Sequence, residues 1–545
     1  MKLNTSKRTR GFKDLFVQKS FIITVCILVM LPFMALVIRA IFGHDPDPTV
    51  WEHSIKNVVP DVLFNTISLS LLTLLFSTVF GLASAWLYSL TDFKFKKSLH
   101  FLSVIPLIYP LYVLAFIYVG LFEYSGPVMT FFRETLDIKL HQVINIKSTP
   151  AVAFVFSLGL FPYMYLLTRQ AFDSQGDHLF KVSRSLGLSK IESFIKVSLP
   201  MARPWILGGM AIILMETMAD FGGVSVFNFD TFTTAIYESW TGMFSLSTAT
   251  KLSSILIFIA LIVLTAESKL TEKQRYNVKL KSSKGYQFTL KKLNLSLAYL
   301  WILFLVLFTI IIPVSQLYVW CIESLELSSI GHNLPYLYNT IKIAFICAIL
   351  AVVISTLVTA GTKLIHSRKW ERISKLSTLG YAIPGSIIAV AVFSLFSNIK
   401  SVIGEDLDQN TFLYLVLVLG LLTRFLSLAF KNMNTSFKKI SRNVDKAAIS
   451  MGASPRLILA KIYLPLLKGG MISAFLMVFI EVMKEMPMTL MLRPFGQDTL
   501  SVKIYEFTSE GDWQRAALPA LFIVCAGAIS VLIMTFATTW SRKSP

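Results

Sequence analysis

Four carboxylates lie inside long apolar runs, Glu216 and Asp220 in one, Glu481 and Glu485 in another. Within each pair the spacing is four residues, one helical turn, which predicts a shared helix face. Glu216 is about ten residues into its run, hence roughly 15 Å deep at 1.5 Å per residue, near the middle of a membrane. An ionised group at that depth is costly unless it faces a polar cavity or a partner. Carboxylate oxygens are hard ligands, suited to a hard, highly charged cation. The four groups are therefore a candidate translocation path for such an ion. The alternative is that they pair with Lys484, Arg424 or Arg493 and hold helices together. Met215, Met218, Met483 and Met486 alongside read as packing, because thioethers favour soft metals. No tightly bound metal is expected.

The elements that must position these groups follow from composition. The chain has 545 residues, 54% hydrophobic and only 15% charged, with a mean hydropathy of +0.66. Soluble domains carry about a quarter charged residues. The pattern predicts an all-α polytopic membrane protein with about twelve spans, each long enough to cross a bilayer. They lie near 21–43, 65–90, 99–122, 148–168, 205–226, 251–267, 293–320, 339–360, 377–398, 411–430, 469–491 and 516–540. The basic stretch before the first run resembles the start of a signal peptide. The apolar run is too long for one and lacks a cleavage site, so a retained first span is expected. With both termini cytoplasmic, inside segments carry 38 Lys and Arg and outside loops 9, counting Lys251 at the edge of its span as loop; the remaining four of 51 (Arg39, Lys342, Arg424, Lys484) lie within spans. That asymmetry is the positive-inside pattern. The net charge of +20 thus reflects topology and anionic lipid, not nucleic acid. Four scattered cysteines (Cys26, Cys321, Cys347, Cys525) read as packing residues.

The chain repeats itself. KVSRSLGLSKIESFIKVSLP begins at Lys181 and KAAISMGASPRLILAKIYLP at Lys446, with Gly187 and Gly452 265 residues apart. Each predicts a turn of helix, a glycine break, a second helix and a terminal proline, within a basic loop. Asn65-Thr66-Ile67 matches Asn339-Thr340-Ile341 at an offset of 274, as Pro110 matches Pro384. Thr168-Arg169 and Thr423-Arg424 are expected to close equivalent spans, and Ile236-Tyr237-Glu238 corresponds to Ile504-Tyr505-Glu506. The predicted organisation is two six-helix halves, 1–272 and 273–545, joined by the Lys-rich segment 267–292. An even number of spans per half makes the repeats parallel. Prolines 106, 110 and 384 inside spans imply kinks.

The repeated elbow resembles the EAA loop of binding-protein-dependent ABC transporter permeases: Glu-Ala-Ala, three residues, Gly, nine residues, Ile-x-Leu-Pro. The second copy matches at Ala447, Ala448, Gly452, Ile462, Leu464 and Pro465. The first is looser, with Val182-Ser183 before Gly187 and Val197 before Leu199-Pro200. Both copies place lysine, Lys181 and Lys446, where the family has glutamate. The departure removes any salt bridge of that glutamate and leaves the shape of the elbow. The resemblance implies a type I importer fold, with each elbow a coupling helix seated in a cytoplasmic ATPase subunit. ETMADFGGVSVFNFDTFTTAIYESW and EVMKEMPMTLMLRPFGQDTLSVKIYE are further similar to the fused permeases of ferric-iron uptake systems. That likeness implies two copies of an ATPase, a periplasmic binding protein and the bacterial inner membrane.

No GxxxxGK[ST] loop occurs, so ATP and Mg are expected on the partner ATPase, and no cofactor or enzymatic activity in this chain. The leading expectation is a ferric-iron permease. Thiamine or phosphonate permeases share the fused plan. A twelve-span carrier driven by an ion gradient is the reading from another class, and paired docking elbows argue against it.

Overall fold

The computed structural model describes residues 2–541 apart from 44, 46, 141–144, 273–287, 291–292, 328–329, 366 and 404–407. Most of the Lys-rich segment expected between the halves therefore lies outside the described residues. Among the described residues ten helices are long and apolar enough to cross a membrane, from Val17–Phe42 to Pro455–Lys484, and two apolar helices, Gly385–Ser397 and Trp513–Ile529, are shorter. Each of the twelve expected spans falls on one of these. Helices prevail because hydrocarbon offers no hydrogen bonds, so the backbone must satisfy itself within each segment. The one strand pairing among the described residues is two residues long: Thr91–Asp92 runs parallel to Phe288–Thr289.

The two halves interlock. The N-terminal helix Lys2–Phe42 packs on Leu334–Ile365 and Gly385–Ile403 of the second half. In return, the opening helices of the second half lie on the first: the Trp301 indole N–H donates to Ser84 Oγ at 3.0 Å, and the Tyr118 hydroxyl donates to the Phe308 carbonyl.

Four of the expected spans are broken, in two matched pairs. The run 99–122 is a short helix Lys96–Leu102, a 3₁₀ turn Ile105–Ile108, and then the helix Leu111–Phe122. The run 377–398 likewise passes through a 3₁₀ segment, Lys375–Ala382, before the helix starting at Gly385. The break precedes Pro110 and Pro384 because a residue before proline is driven out of the helical region; Tyr109 and Ile383 have ψ of 128° and 134°.

The second pair corrects the shared-face expectation. The runs 205–226 and 469–491 do not continue as single helices. Leu199–Ala219 and Leu464–Lys484 stop, and Asp220 and Glu485 are extended at ψ 131° and 124°. Short helices follow, Gly222–Val226 and Pro487–Leu492, then Phe232–Thr241 and Leu500–Ser509. Asp220 and Glu485 are thus the first residues beyond their helices rather than one turn along the same face. The reason is local: each carboxylate, one residue ahead of the N-cap position, accepts otherwise unpaired N–H groups of the short helix that follows.

Candidate functional site

Each elbow is built on a glycine in left-handed backbone, φ +87° at Gly187 and +78° at Gly452, with no atom within 4 Å of where a Cβ would stand. The first arm closes as a Schellman cap: Leu188 N–H donates to Ser183 O (3.2 Å) and Ala453 N–H to Ala448 O (3.0 Å). Ser183 and Ala448 are buried beneath the turn, which explains the small residue there. Lys181, Val182, Lys446 and Ala447 face outward. The second arms begin with matched serines, Ser189 accepting from Glu192 N–H and Ser454 from Leu457 N–H.

The expectation that Pro200 and Pro465 end the second arm is overturned. Both lie in the first turn of long helices, Leu199–Ala219 and Leu464–Lys484, entered through π-helical turns Phe194–Ser198 and Leu459–Tyr463. The wider turn hands Leu199 N–H to Phe194 O and Leu464 N–H to Leu459 O, so the missing proline N–H breaks nothing. Val197, Leu199, Ile462, Leu464 and the prolines therefore couple each elbow rigidly to the helix whose far end carries the carboxylates.

Two features of the elbows were not recognised from the sequence. Leu186 and Met451, 265 residues apart and each just before its glycine, are 76% and 80% exposed. A large apolar side chain held out at both tips is a ready contact for a partner. Among the described residues, a buried acid pins the second elbow alone: Asp445 accepts from the Tyr463 hydroxyl at 2.8 Å and lies 3.6 Å from Lys363 Nζ. The aligned position in the first elbow is Phe180.

At the other end of these helices the carboxylates converge from both halves. Glu216 lies near the Tyr381 hydroxyl and within charge–charge reach of Glu481 and Arg424. Glu481 in turn faces Lys484, whose ammonium donates to the Leu107 carbonyl freed by the Pro110 break. Asp220 accepts Gly223 N–H at 2.7 Å and Val224 N–H at 3.1 Å. Glu485 accepts Met488 N–H, Thr489 N–H and the Thr489 hydroxyl at 3.0–3.1 Å, and pairs with Arg424 at 3.3 Å. Arg424 reaches it because position 385 is glycine; a Cβ there would stand 2.6 Å from the guanidinium. Of the basic partners weighed from the sequence, Arg493 is elsewhere, bridging Asp498 and Glu506. Glu216, Asp220 and Glu481 keep some accessible surface, with Tyr163, Tyr381 and Arg424 near them.

Arg424 also corrects an alignment. It stands twenty-eight residues before Gly452, whereas Arg169 is eighteen before Gly187. Arg169 is consequently about 15 Å nearer its elbow, bonded to His100 and Asp173 instead of the central acids.

Beyond the carboxylates, on the face away from the elbows, lies a cavity of about 440 Å³ lined from both halves, with Glu123, Asp230, Glu238 and Glu510 outnumbering Lys147, and with Tyr237 and Tyr505 in its wall. The tyrosines of the two repeated Ile-Tyr-Glu triplets meet there, ring centroids 6.0 Å apart, and Phe221 touches both at 5.0 and 5.6 Å. All three rings line the cavity, and Phe221 follows Asp220 directly, which joins them to the carboxylate centre.

The duplicated elbow, rigidly joined to a broken helix, has a counterpart among known proteins. The family described as "Binding-protein-dependent transport system inner membrane component" matches twice, over residues 77–267 and 367–544. The chain belongs to that family. Among relatives of this permease, an Fe(3+)-transport system permease protein of Haemophilus influenzae is 29% identical over 70% of this chain and 75% of its own length. A ferric transport system permease protein of Actinobacillus pleuropneumoniae is 21% identical over 94% and 76%. A putative 2-aminoethylphosphonate transport system permease protein of Salmonella paratyphi A is 31% identical, over only 31% of this permease and 60% of its own length.

Proposed function

We propose that this permease is the membrane-spanning subunit of an ATP-driven importer of ferric iron, lying in a bacterial inner membrane with its elbows and termini cytoplasmic. Two copies of an ATPase dock on Leu186 and Met451 at the elbow tips. Closure of the ATPases moves the two long helices as levers, because each elbow enters its helix without a break. Their motion opens and closes the Phe221–Tyr237–Tyr505 seal above the carboxylates, a rigid-body transition of the kind packed helices allow. A binding protein on the opposite face delivers the ion into the acidic cavity.

The observation that carries the reading is the excess of acid at the interface. Four carboxylates face two basic groups, Arg424 and Lys484, in a chain whose long-range relatives are named as ferric permeases. An anionic phosphonate would be repelled there. The test is uptake of radiolabelled ferric iron into proteoliposomes holding the permease, its ATPase and its binding protein. Uptake should require ATP and the binding protein and should resist competition by thiamine or 2-aminoethylphosphonate. Replacing Glu216 and Glu481 by Gln should lower uptake per molecule while membrane abundance holds. The purified complex should contain one permease and two ATPase subunits. Competition by either organic solute, or two permease chains per complex, would refute it.

A further inference from the structure

The oxygen donors at the centre exceed the four carboxylates. Tyr112 is the second residue of the helix after Pro110, and its side chain packs on Gly222, where a Cβ would come within 3.0 Å of it. Its side chain is only 4% exposed, and its hydroxyl has no hydrogen-bond partner. The Met486 methyl meets the same Gly222 position, so the ring lies among the residues next to Glu485 and Asp220, one acid from each half. Ser386, 274 residues on and next to Gly385, occupies the matching place after Pro384, and its buried hydroxyl is likewise without a partner. Leaving a hydroxyl buried and unbonded costs about 1–3 kcal/mol; these two stand at equivalent positions of the two halves, beside the acid-rich centre.

In this state the carboxylates are otherwise engaged. Asp220 and Glu485 cap helices, and Glu485 holds Arg424. Among the described residues no three acidic, histidine or cysteine side chains converge as a metal site. A conduit needs that property, since a cage that closed on its cargo would not release it. What the centre has in reserve is the Tyr112 oxygen and the second lone pairs of the two capping acids. A phenol oxygen is a hard donor to ferric iron. It discriminates against organic cations, which need no coordinating oxygen.

We infer that Tyr112 is a specificity-determining ligand of the passing cation. Its oxygen joins Asp220 and Glu485 in holding the trivalent ion while Arg424 yields Glu485 to it. The inference rests on the ferric reading above and assigns one more residue to that same centre.

Tyr112→Phe removes the oxygen and keeps the ring that packs on Gly222. In the purified permease–ATPase complex, terbium(III), a hard trivalent probe, should bind about tenfold more weakly to Tyr112→Phe than to the unaltered protein, the scale seen when a metal site loses a supporting group. Ferric uptake per molecule should fall in parallel, with thermal stability held or raised because the unbonded hydroxyl is gone, whereas a structural role of the hydroxyl would lower it. Equal terbium affinity and equal ferric uptake in the two proteins would overturn the inference while leaving the ferric reading intact, as would the absence of terbium binding to an unaltered complex that still carries ferric iron. Failure of the unaltered transporter to carry ferric iron at all would overturn both.

Discussion

Replacing Gly452 by valine tests the elbow in isolation from packing. At φ +78° an L-residue sets its Cβ against its own backbone, which costs about 1–2 kcal/mol. The space around the position is empty to 4 Å, so no neighbouring side chain contributes. If the elbow must hold this turn to transmit force, 1–2 kcal/mol reduces the population of the competent shape roughly five- to thirty-fold. Asparagine tolerates left-handed backbone far better and is the control. The assay is ferric uptake per molecule of permease alongside ATP hydrolysis by the docked subunits. Gly452→Val and Gly187→Val should each lower uptake by that factor at normal abundance, while the Asn variants stay within about twofold. The two elbows are distant, so the double valine variant should show the product of the single effects. Equal uptake in the Val and Asn variants, both present in the membrane, would refute the reasoning.

Gly385→Ala places a Cβ 2.5 Å from Glu485 Oε1 and 2.6 Å from the Arg424 guanidinium. The pair should separate at a cost of about 3–5 kcal/mol, read as a large drop in melting temperature in detergent. Asp445→Ala leaves Lys363 without its acid and Tyr463 without its acceptor; hydrogen exchange should rise over 442–463 and stay unchanged over 181–198, because the first elbow has no such acid. On the face away from the elbows, burial works against the Glu506 carboxylate, but hydrogen bonds from Lys503 and Arg493 overcome it and hold its pKa below the ordinary 4.5. A depressed acid stabilises the fold above its unfolded value and loses that contribution as pH falls through the folded one. The melting-temperature advantage of the unaltered protein over Glu506→Gln should therefore be present at neutral pH and vanish in acid below that value.

Much of the architecture was legible along the chain because it follows from local rules. Each of the twelve apolar runs falls on an apolar helix among the described residues, four of them broken, since hydrocarbon leaves the backbone no other way to bond. Repeats at offsets of 265 and 274 announced paired elbows and paired proline breaks, and Gly187 and Gly452 carry the left-handed turns their positions implied. What the sequence did not contain was geometry across elements. Spacing of four suggested that Asp220 and Glu485 share a face with Glu216 and Glu481. Tertiary structure decided otherwise, because a carboxylate beside a chain reversal gains more from capping the next helix than from extending its own. Pro200 and Pro465 looked like terminators until π-turns carried the helices through them. Arg424 was one of three candidate partners for the acids, and only the absence of a side chain at Gly385, thirty-nine residues away in sequence, lets it reach Glu485. Tyr112 carried no sequence signal at all. An unpartnered hydroxyl is a property of the space around it, and that space is made by two halves of the chain meeting.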